Sequence, residues 1–197
     1  MYQIKKESRI DITEKKSKFI TRSNKIKSEE EAKIIIDEIA KTEKGAVHNC
    51  YAYRILAANS SIIEKKSDDG EPGGTAGAPM LAVLTGEDMI NTLVVTTRYF
   101  GGIKLGTGGL VNVYARGVKE VLKESGKIEY VIKESWEIEF PINKTDLVQY
   151  QLDKEEITIS KKEFINNNVF FIVDVSQDAI NKLEGIVKLV QGNIKKL

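Results

Sequence analysis

The residues of this chain that are best suited to bind an anion lie close together near its middle. Arg98 and Lys104 carry positive charge, and Tyr99 supplies an aromatic ring that could stack on a base. Thr107 adds a hydroxyl group. Five glycines are interspersed with them: Gly101, Gly102, Gly106, Gly108 and Gly109. Because glycine lacks a Cβ atom, a ligand can approach the backbone amides of such a segment closely. The pattern predicts a loop that binds phosphate or carboxylate groups.

The elements on either side of this loop predict how it is positioned. Residues 93–97 form a short apolar, β-branched run, which is typical of a strand buried on both faces. After the loop, one stripe recurs at helical spacing: Leu110, Val113, Tyr114, Gly117, Val118, Val121 and Leu122. The loop is therefore predicted to end at a helix N-terminus, where unpaired amides attract anions. Arg116, on the same helix, is predicted to add a further cation.

A second unusual loop carries acidic residues and supports an alternative, catalytic hypothesis. Residues 67–79 contain Asp68, Asp69 and Glu71 together with four glycines and two prolines. If the protein is an enzyme, His48 would be its general base, with Asp69 or Glu71 as an acid or metal ligand. Asp68 and Asp69 are also candidate ligands for magnesium, which needs only one or two carboxylates. The structural alternative is that these acids cap the following helix or pair with the cationic loop.

The known nucleotide-binding patterns do not fit the glycine loop. A Walker A loop needs Gly-Lys-Ser/Thr, but Gly106 is followed by Thr107, and the dinucleotide fingerprint needs glycine where Val111 stands. The single histidine, His48, lies two residues before the single cysteine, Cys50, which suggests a nucleophile or a metal site. Two residues cannot complete a tetrahedral zinc site, however, and the sequence has no Cys-x-x-Cys pair. The sequence therefore predicts no cofactor.

Composition and charge limit the classes of partner. Of the 197 residues, 41% are hydrophobic and 30% are charged, as in ordinary globular proteins. The formal net charge is +1, so binding to RNA would depend on a local basic patch. A single cysteine suits a reducing compartment, and the sequence shows neither a signal-peptide pattern nor an apolar run long enough for a membrane span. We expect a cytoplasmic protein without membrane contact and without sequence-specific recognition of DNA.

Shorter patterns predict the remaining elements of the first part of the chain. Alternating apolar residues indicate strands at residues 9–13 and 17–21, and a longer strand at 46–57 with a hairpin partner at 61–65. The turn of that hairpin is predicted at residues 58–60. Ser28 and Glu31 form a capping-box pattern before an amphipathic helix. A further helix is predicted at residues 76–84.

From residue 127 glycine becomes scarce, which predicts a division into two domains, residues 1–126 and 127–197. In the second domain, strands are predicted at residues 136–140, 157–165 and 169–175. Asn143 and Ser176 are expected to cap one helix after the first strand and another after the third. The order β-α-β-β-α is that of a ferredoxin-like domain, whose closing strand would have to come from the tail after Gly192. The expected fold class is α+β.

Four segments of the chain together closely resemble the YigZ/IMPACT family. They read SKFI at residues 17–20, HNCYAYR at 48–54, SDDGEPGGTAGAPM at 67–80 and TRYFGGIKLGTGGL at 97–110. Two long motifs in the same order make this resemblance specific. Arg54 and Thr75, which stand in two of these segments, complete the predicted set of anion-binding residues.

The resemblance implies an architecture and a biological setting. Proteins of this family have a first domain similar to domain IV of elongation factor G, followed by a ferredoxin-like domain similar to domain V. Eukaryotic relatives regulate translation by competing for the activator of the amino-acid-starvation kinase. This chain looks like a two-domain bacterial member, for which the family implies a translation-associated or nucleic-acid-binding protein without an established reaction.

Three hypotheses follow from the sequence. The first is a translation-associated regulator that binds RNA or a ribosomal surface through the glycine loop. The second is an enzyme that acts on a small phosphorylated or carboxylated ligand, with the loop as a phosphate or oxyanion cradle. The third is an adaptor that binds a regulatory protein. The structural alternative is that both loops are demanding turns in which the arginine and lysine pair with Asp68 and Asp69. The sequence does not determine the oligomeric state.

Overall fold

The computed structural model describes residues 1–57 and 59–197, and it divides into two compact units, Met1–Tyr130 and Val131–Leu197. The division lies four residues beyond the predicted boundary at residue 126. The reason is that Lys127–Glu129 forms a short strand, which pairs with the N-terminal strand Tyr2–Ile4 and so belongs to the first unit.

The first unit combines seven strands and three helices within the described residues. Its strands are β1 (Tyr2–Ile4), β2 (Ser8–Glu14), β3 (Ser17–Lys25), β4 (His48–Leu56), β5 (Ile62–Ser67), β6 (Thr92–Tyr99) and β7 (Lys127–Glu129). Its helices are α1 (Glu29–Thr42), α2 (Gly77–Gly86) and α3 (Thr107–Ser125). Five of the strands form an antiparallel sheet in the order β2-β3-β6-β4-β5. These elements confirm the strands and helices predicted for this part of the chain.

The central strand β6 is buried on both faces, as its apolar run predicts. Val94 packs in the same cluster as residues of α2 and α3, whereas Leu93 and Val95 pack in a second cluster with α1. Strand β4 alternates in the same way: Cys50 belongs to the first cluster and Tyr53 to the second. The side chains at positions 48 and 50 therefore share a face with α2 and α3.

Helix α3 buries all seven residues of its predicted apolar stripe. Gly117 lets this helix approach β3 closely, because a Cβ atom there would lie only 2.5 Å from Thr21 Oγ1. Gly106 is the N-cap residue, and the first intrahelical hydrogen bond runs from the Leu110 amide to the Gly106 carbonyl, 3.0 Å. No helix in the described part of the chain is both long and apolar enough to cross a membrane.

The start of α1 follows the predicted capping box in one of its two bonds. Ser28 Oγ accepts a hydrogen bond from the Glu31 amide, 3.2 Å. The Glu31 carboxylate accepts from the amide of Lys27, 2.7 Å, one residue before the position that a regular capping box uses. The hairpin predicted between residues 46 and 65 is formed by β4 and β5, but its turn at residues 58–60 includes Ala58, which lies outside the described residues.

The second unit has the predicted order of elements together with the closing strand. Its elements are β8 (Lys133–Pro141), α4 (Thr145–Lys154), β9 (Thr158–Ile165), β10 (Asn168–Ser176), α5 (Ile180–Leu189) and β11 (Asn193–Lys196). They form an antiparallel sheet in the order β11-β8-β10-β9, the arrangement of a ferredoxin-like βαββαβ fold. The core includes Ile138, Phe140 and Phe171, and the Phe140 and Phe171 rings meet edge to face at 5.1 Å.

Both helix caps predicted for this unit are wrong. The N-cap residues are Lys144 for α4 and Ala179 for α5, and neither makes a side-chain capping bond within the described chain. Each helix is preceded by a short 3-10 turn, formed by Ile142–Lys144 and Gln177–Ala179. These turns move the start of the α-helix beyond Asn143 and Ser176, so the two side chains stand too early to cap it.

Candidate anion-binding cleft

Residues of the first unit enclose a cleft of about 370 Å³ at the N-terminus of α3. Strand β4 contributes His48, and the loop between β5 and α2 contributes Glu71. The end of β6 contributes Arg98, which stands directly opposite His48 in the β4–β6 ladder. The loop between β6 and α3 contributes Lys104, and α3 itself begins in the wall of the cleft at Thr107. Strand pairing and the two glycine loops therefore bring together residues that are up to 63 positions apart (47 and 110).

Arg98 and Glu71 form a buried ion pair at the base of this cleft. Arg98 Nη1 donates to Glu71 Oε1 at 2.6 Å, and each residue is only 6% exposed. The guanidinium group also lies over the rings of Phe19 and Phe100, at 5.3 and 5.6 Å from their centroids. Tyr114 donates its hydroxyl hydrogen to the same Glu71 oxygen at 2.8 Å. The charge of Arg98 is thus largely neutralised inside the protein, by Glu71 and not by Asp68 or Asp69, whose carboxylates accept from backbone amides.

His48 is held in one tautomer by the backbone. Its Nδ1 lies 2.6 Å from the carbonyl oxygen of Asp69, which can only accept, so Nδ1 carries the hydrogen. In the neutral ring Nε2 is then an acceptor, and it lies 3.9 Å from Glu71 Oε2. Gly70, at φ +86°, completes the turn that presents the carbonyl, and a Cβ atom there would lie 3.2 Å from His48 Nδ1.

Asp68 has a structural role, because its carboxylate accepts three backbone hydrogen bonds. The donors are the amides of Gly74 (2.8 Å), Ala76 (2.9 Å) and Gly77 (2.8 Å). Burial acts to raise the pKa of Asp68, but these bonds outweigh burial and hold the pKa below its ordinary value of 3.8. The predicted capping of the following helix by an acidic residue is confirmed for Asp68.

The carboxylate of Asp69 is also used by the backbone. Asp69 Oδ2 accepts from the amide of Asn49 at 2.6 Å, and the Asp69 carbonyl oxygen orients His48. The described residues contain no group of three or more His, Cys, Asp or Glu side chains arranged to hold a metal ion. Of the acid and metal candidates named from the sequence, Glu71 is the one that lines the cleft.

The loop between β6 and α3 presents hydrogen-bond donors that have no acceptor within the described part of the chain. Lys104 is exposed and forms no ion pair among the described residues. The amides of residues 107–109 precede the first intrahelical bond of α3, so the helix itself offers them no acceptor. Gly106 adopts φ +79°, a conformation that favours glycine and turns the chain into the helix.

The other glycines of the loop have different roles. Gly101 lies against the turn between β2 and β3: its amide donates to Ser17 Oγ at 3.1 Å, and a Cβ atom would collide with the backbone of Lys16. Gly102 has φ +84°. Around Gly108, in contrast, a Cβ atom would meet nothing within 4 Å in the described structure, which leaves room for a ligand at the helix N-terminus.

Tyr99 is engaged on the opposite side of the strand from Arg98. Its hydroxyl group donates to Glu43 Oε2 at 2.5 Å, and Arg22 forms an ion pair with the other Glu43 oxygen. The Tyr99 bond, followed by the charge of Arg22, lowers the pKa of Glu43 against the opposing effect of burial. This arrangement gives the Tyr99 hydroxyl group a structural contact, and the stacking of its ring on a base stays a prediction.

Three further candidates from the sequence have contacts elsewhere in the first unit. Arg54 is buried, pairs with Glu64 at 2.8 Å and donates to the Met89 carbonyl at 2.9 Å. Thr75 is buried and donates its hydroxyl hydrogen to the Pro72 carbonyl at 2.7 Å. Arg116 is exposed and pairs with Glu14 at 3.1 Å and with Glu120 at 3.8 Å. These contacts account for all three residues without a ligand.

Sequence reasoning missed the polar role of Tyr114 behind the cleft. Its helical spacing identified it as a core residue, but its hydroxyl group joins Glu71 to Cys50, whose Sγ lies 3.3 Å from the Tyr114 oxygen. Cys50 is fully buried, and burial raises the pKa of its thiol to about 12. The thiol is therefore protonated near neutral pH, which argues against Cys50 as a nucleophile.

Comparison with known proteins identifies similar sequences for the first unit. Residues 15–122 match the family model of the Impact N-terminal domain. IMPACT family member YvyE of Bacillus subtilis is 44% identical over 128 residues, which are 65% of this chain and 58% of the relative. IMPACT family member YigZ of Escherichia coli is 44% identical over 110 residues, 56% of this chain and 54% of the relative. The matched regions thus span a little over half the length of these two relatives.

Solved structures extend the similarity to the whole chain. A crystal structure described as that of a hypothetical protein has a TM-score of 0.71 and 27% identity, and the alignment covers 100% of this chain and 95% of that one. A structure described as the two-domain translational regulator Yih1 is 31% identical, with a TM-score of 0.40 and coverage of 56% and 45%.

Proposed function

The chain belongs to the Impact N-terminal domain family, and we propose that it is a translation-associated regulatory protein that binds RNA or a ribosomal surface through the loop between β6 and α3. The biological part of the proposal rests on the resemblance to a family whose eukaryotic members regulate translation. A likeness of the first unit to domain IV of elongation factor G is part of the same proposal.

The observation that carries the binding part is the open set of donors at the start of α3. Lys104 is exposed and without an ion pair in the described chain, and the amides at 107–109 face no acceptor of their own helix. Each such contact with a phosphate contributes only about 0.3–1 kcal/mol at an exposed helix end. Several contacts must therefore act together, and with a net charge of +1 the affinity should fall steeply with salt.

The pairing of Arg98 with Glu71 changes which residue tests this proposal. Arg98 is 6% exposed, so reversing its charge would disturb the core as well as any ligand site. Lys104 is the informative position, because its side chain is exposed and can be replaced without loss of an ion pair in the described structure. Lys119, exposed on α3 twelve residues after Thr107, offers the same charge change about 18 Å away along the helix.

Co-sedimentation of the full chain with ribosomes, at low and at moderate salt, tests the proposal. We expect co-sedimentation at low salt that fades with added salt, is lost in Lys104→Glu and is kept in Lys119→Glu. Absence of co-sedimentation at low salt, or equal losses in the two variants, would overturn it. The alternative is an adaptor that binds a regulatory protein. It would replace the RNA-binding proposal if the chain still binds to proteins from which ribosomes and RNA have been removed.

A second candidate function is favoured by the geometry of His48. The imidazole is oriented by the Asp69 carbonyl, which accepts from Nδ1, and its Nε2 shares one cleft with Lys104 and Glu71. Such a ring can serve as a general base for a small phosphorylated or carboxylated substrate held by the loop. Turnover of a panel of phosphate and carboxylate esters that disappears in His48→Gln would support this function, and equal rates in both proteins would exclude a role for His48.

A further inference from the structure

Arg98 retains a hydrogen-bonding group that the protein itself does not use. Its Nη1 donates to Glu71, but its Nε is buried and has no hydrogen-bond partner among the described residues. The whole residue is 6% exposed and lines the cleft. Buried donors are rarely left without an acceptor, so Arg98 keeps hydrogen-bonding capacity beyond its bond to Glu71 at the wall of the cleft.

Three kinds of donor surround the same space. Besides Arg98, the cleft is lined by Lys104 and by Gly106 and Thr107 at the start of α3, where the Thr107 amide precedes the first helical bond. A phosphate monoester carries a charge between −1.5 and −2 near neutral pH and three acceptor oxygens. A phosphate inside an RNA strand has a single charge and two unbridged oxygens. The unpaired Lys104 ammonium group and the amide at the start of α3, beside an Arg98 whose charge Glu71 balances, therefore suit a terminal phosphate better than an internal one.

The rim of the cleft is apolar. Val47 and Phe100 line it and are 53% and 49% exposed, while Leu105 and Leu110 form buried wall. Exposed apolar side chains beside a charged recess suit a ligand whose phosphate is attached to a planar or apolar group. The volume of about 370 Å³ is at the lower end of the range for small-molecule sites, so the cleft accommodates one such group at a time.

We propose that the cleft binds a phosphate monoester attached to a planar apolar group, with the phosphate at the start of α3 beside Lys104 and the planar group against Phe100. This inference rests on the proposed function, because it names the chemical class that the same site takes. Two sources share the chemistry: a free nucleotide-like molecule and the 5′-phosphate end of an RNA.

Titration calorimetry with the full chain tests the proposal with defined probes. Adenosine 5′-monophosphate, adenosine and inorganic phosphate are compared first, followed by a short RNA with and without a 5′-phosphate. We expect the monophosphate to bind at least about tenfold more tightly than adenosine, because the charged contacts are made by the phosphate.

Two variants and one control locate the site. Lys104→Ala should weaken binding of the monophosphate about fivefold, and Thr107→Pro should weaken it about twofold by removing one amide. Proline is well tolerated at the first position of a helix, so Thr107→Pro should leave the circular dichroism spectrum unchanged. Lys119→Ala, on the same helix, should leave the affinity for the monophosphate unchanged.

Equal affinity for adenosine and its monophosphate, no binding of the monophosphate at millimolar concentration, or equal effects of Lys104→Ala and Lys119→Ala would overturn the inference. Tighter binding of the 5′-phosphorylated RNA than of its 5′-hydroxyl form supports an RNA end as the source. Binding of the free monophosphate together with equal, weak binding of both RNAs supports a small molecule.

The ribosome experiment separates this inference from the proposed function. Ribosome co-sedimentation without binding of any monoester would leave the proposed function standing and remove this inference. Binding of the monophosphate without ribosome co-sedimentation would leave this inference standing and remove ribosome binding.

Discussion

The two glycine-rich loops of the first unit look similar in sequence but differ in how their polar groups are used. In the acidic loop between β5 and α2, Asp68 accepts three amides of its own segment, and Glu71 is paired with Arg98. In the loop between β6 and α3, Lys104 and the first amides of the helix lack such partners within the described chain. Glycines combined with charged residues therefore indicate a tight turn. A binding loop differs from a structural loop only in having hydrogen-bond donors that the protein itself does not use.

The largest expected effect comes from opening the buried ion pair that joins the two loops. Glu71→Ala leaves Arg98 charged and buried, which should lower the free energy of unfolding by about 3–5 kcal/mol. Urea unfolding followed by circular dichroism measures this loss. Glu120→Ala, which removes an exposed partner of Arg116, is the control and should change stability little. Similar losses of stability in both variants would show that the buried Arg98–Glu71 pair stabilises the protein no more than an exposed ion pair does.

The next effect tests whether the acidic loop is held by its own backbone. Asp68→Asn should lower the free energy of unfolding near neutral pH by about 1.5–3 kcal/mol, because a charged acceptor of amide bonds is lost. The folded pKa of Asp68 lies below its ordinary 3.8, so the stabilisation is present above that pH and is lost as the pH falls through the folded value. Urea unfolding of both proteins at neutral pH and near pH 3 should show the difference shrinking in acid. A difference that stays constant with pH would rule out the ionised carboxylate as its cause.

A matched pair of glycine substitutions separates structural from open positions within the cationic loop. Gly101→Ala forces a Cβ atom against the backbone of Lys16 and should destabilise the protein by about 1–3 kcal/mol. Gly108→Ala meets open space in the first turn of α3 and should stabilise it by about 0.4–1 kcal/mol. Thermal unfolding of the two variants gives the comparison directly. The same sign for both would contradict the division of roles between these glycines.

The smallest expected effect on stability is at the residue with the largest expected effect on binding. Lys104→Glu should change the free energy of unfolding by no more than about 0.5 kcal/mol, because the side chain is exposed and unpaired in the described structure. The same variant is expected to lose ribosome co-sedimentation. A large loss of stability would show instead that Lys104 stabilises the loop between β6 and α3, as Asp68 stabilises the loop between β5 and α2.

Much of the fold was predictable because local patterns coincide with tertiary packing. The doubly buried strand β6 and the seven-residue stripe of α3 were found in the sequence, since each has a strong periodicity of its own. The helix caps at Asn143 and Ser176 were not, because a 3-10 turn can precede a helix without a clear change in sequence pattern. The two compact units divide four residues beyond the predicted boundary, because the pairing of β7 with β1 joins residues more than 120 positions apart.

The candidate site was predictable in position and only partly in membership. His48, Glu71, Arg98, Lys104 and Thr107 were named from the sequence and line one cleft. Tyr99, Arg54, Thr75 and Arg116 were named by the same reasoning but have contacts within the protein. No local pattern separates these two groups, because a side chain's partner is set by distant elements of the fold.

The sequence by itself determined that a glycine loop with positive charge runs from a buried strand into a helix N-terminus, since glycine spacing and apolar periodicity are local properties. Tertiary structure alone decided which charges stay available. The loop between β5 and α2 placed Glu71 beside Arg98 and neutralised its charge, whereas Lys104 was left exposed. The physical reason is that burial makes an unpaired charge costly, so the fold pairs charges in its interior and leaves open those at its surface.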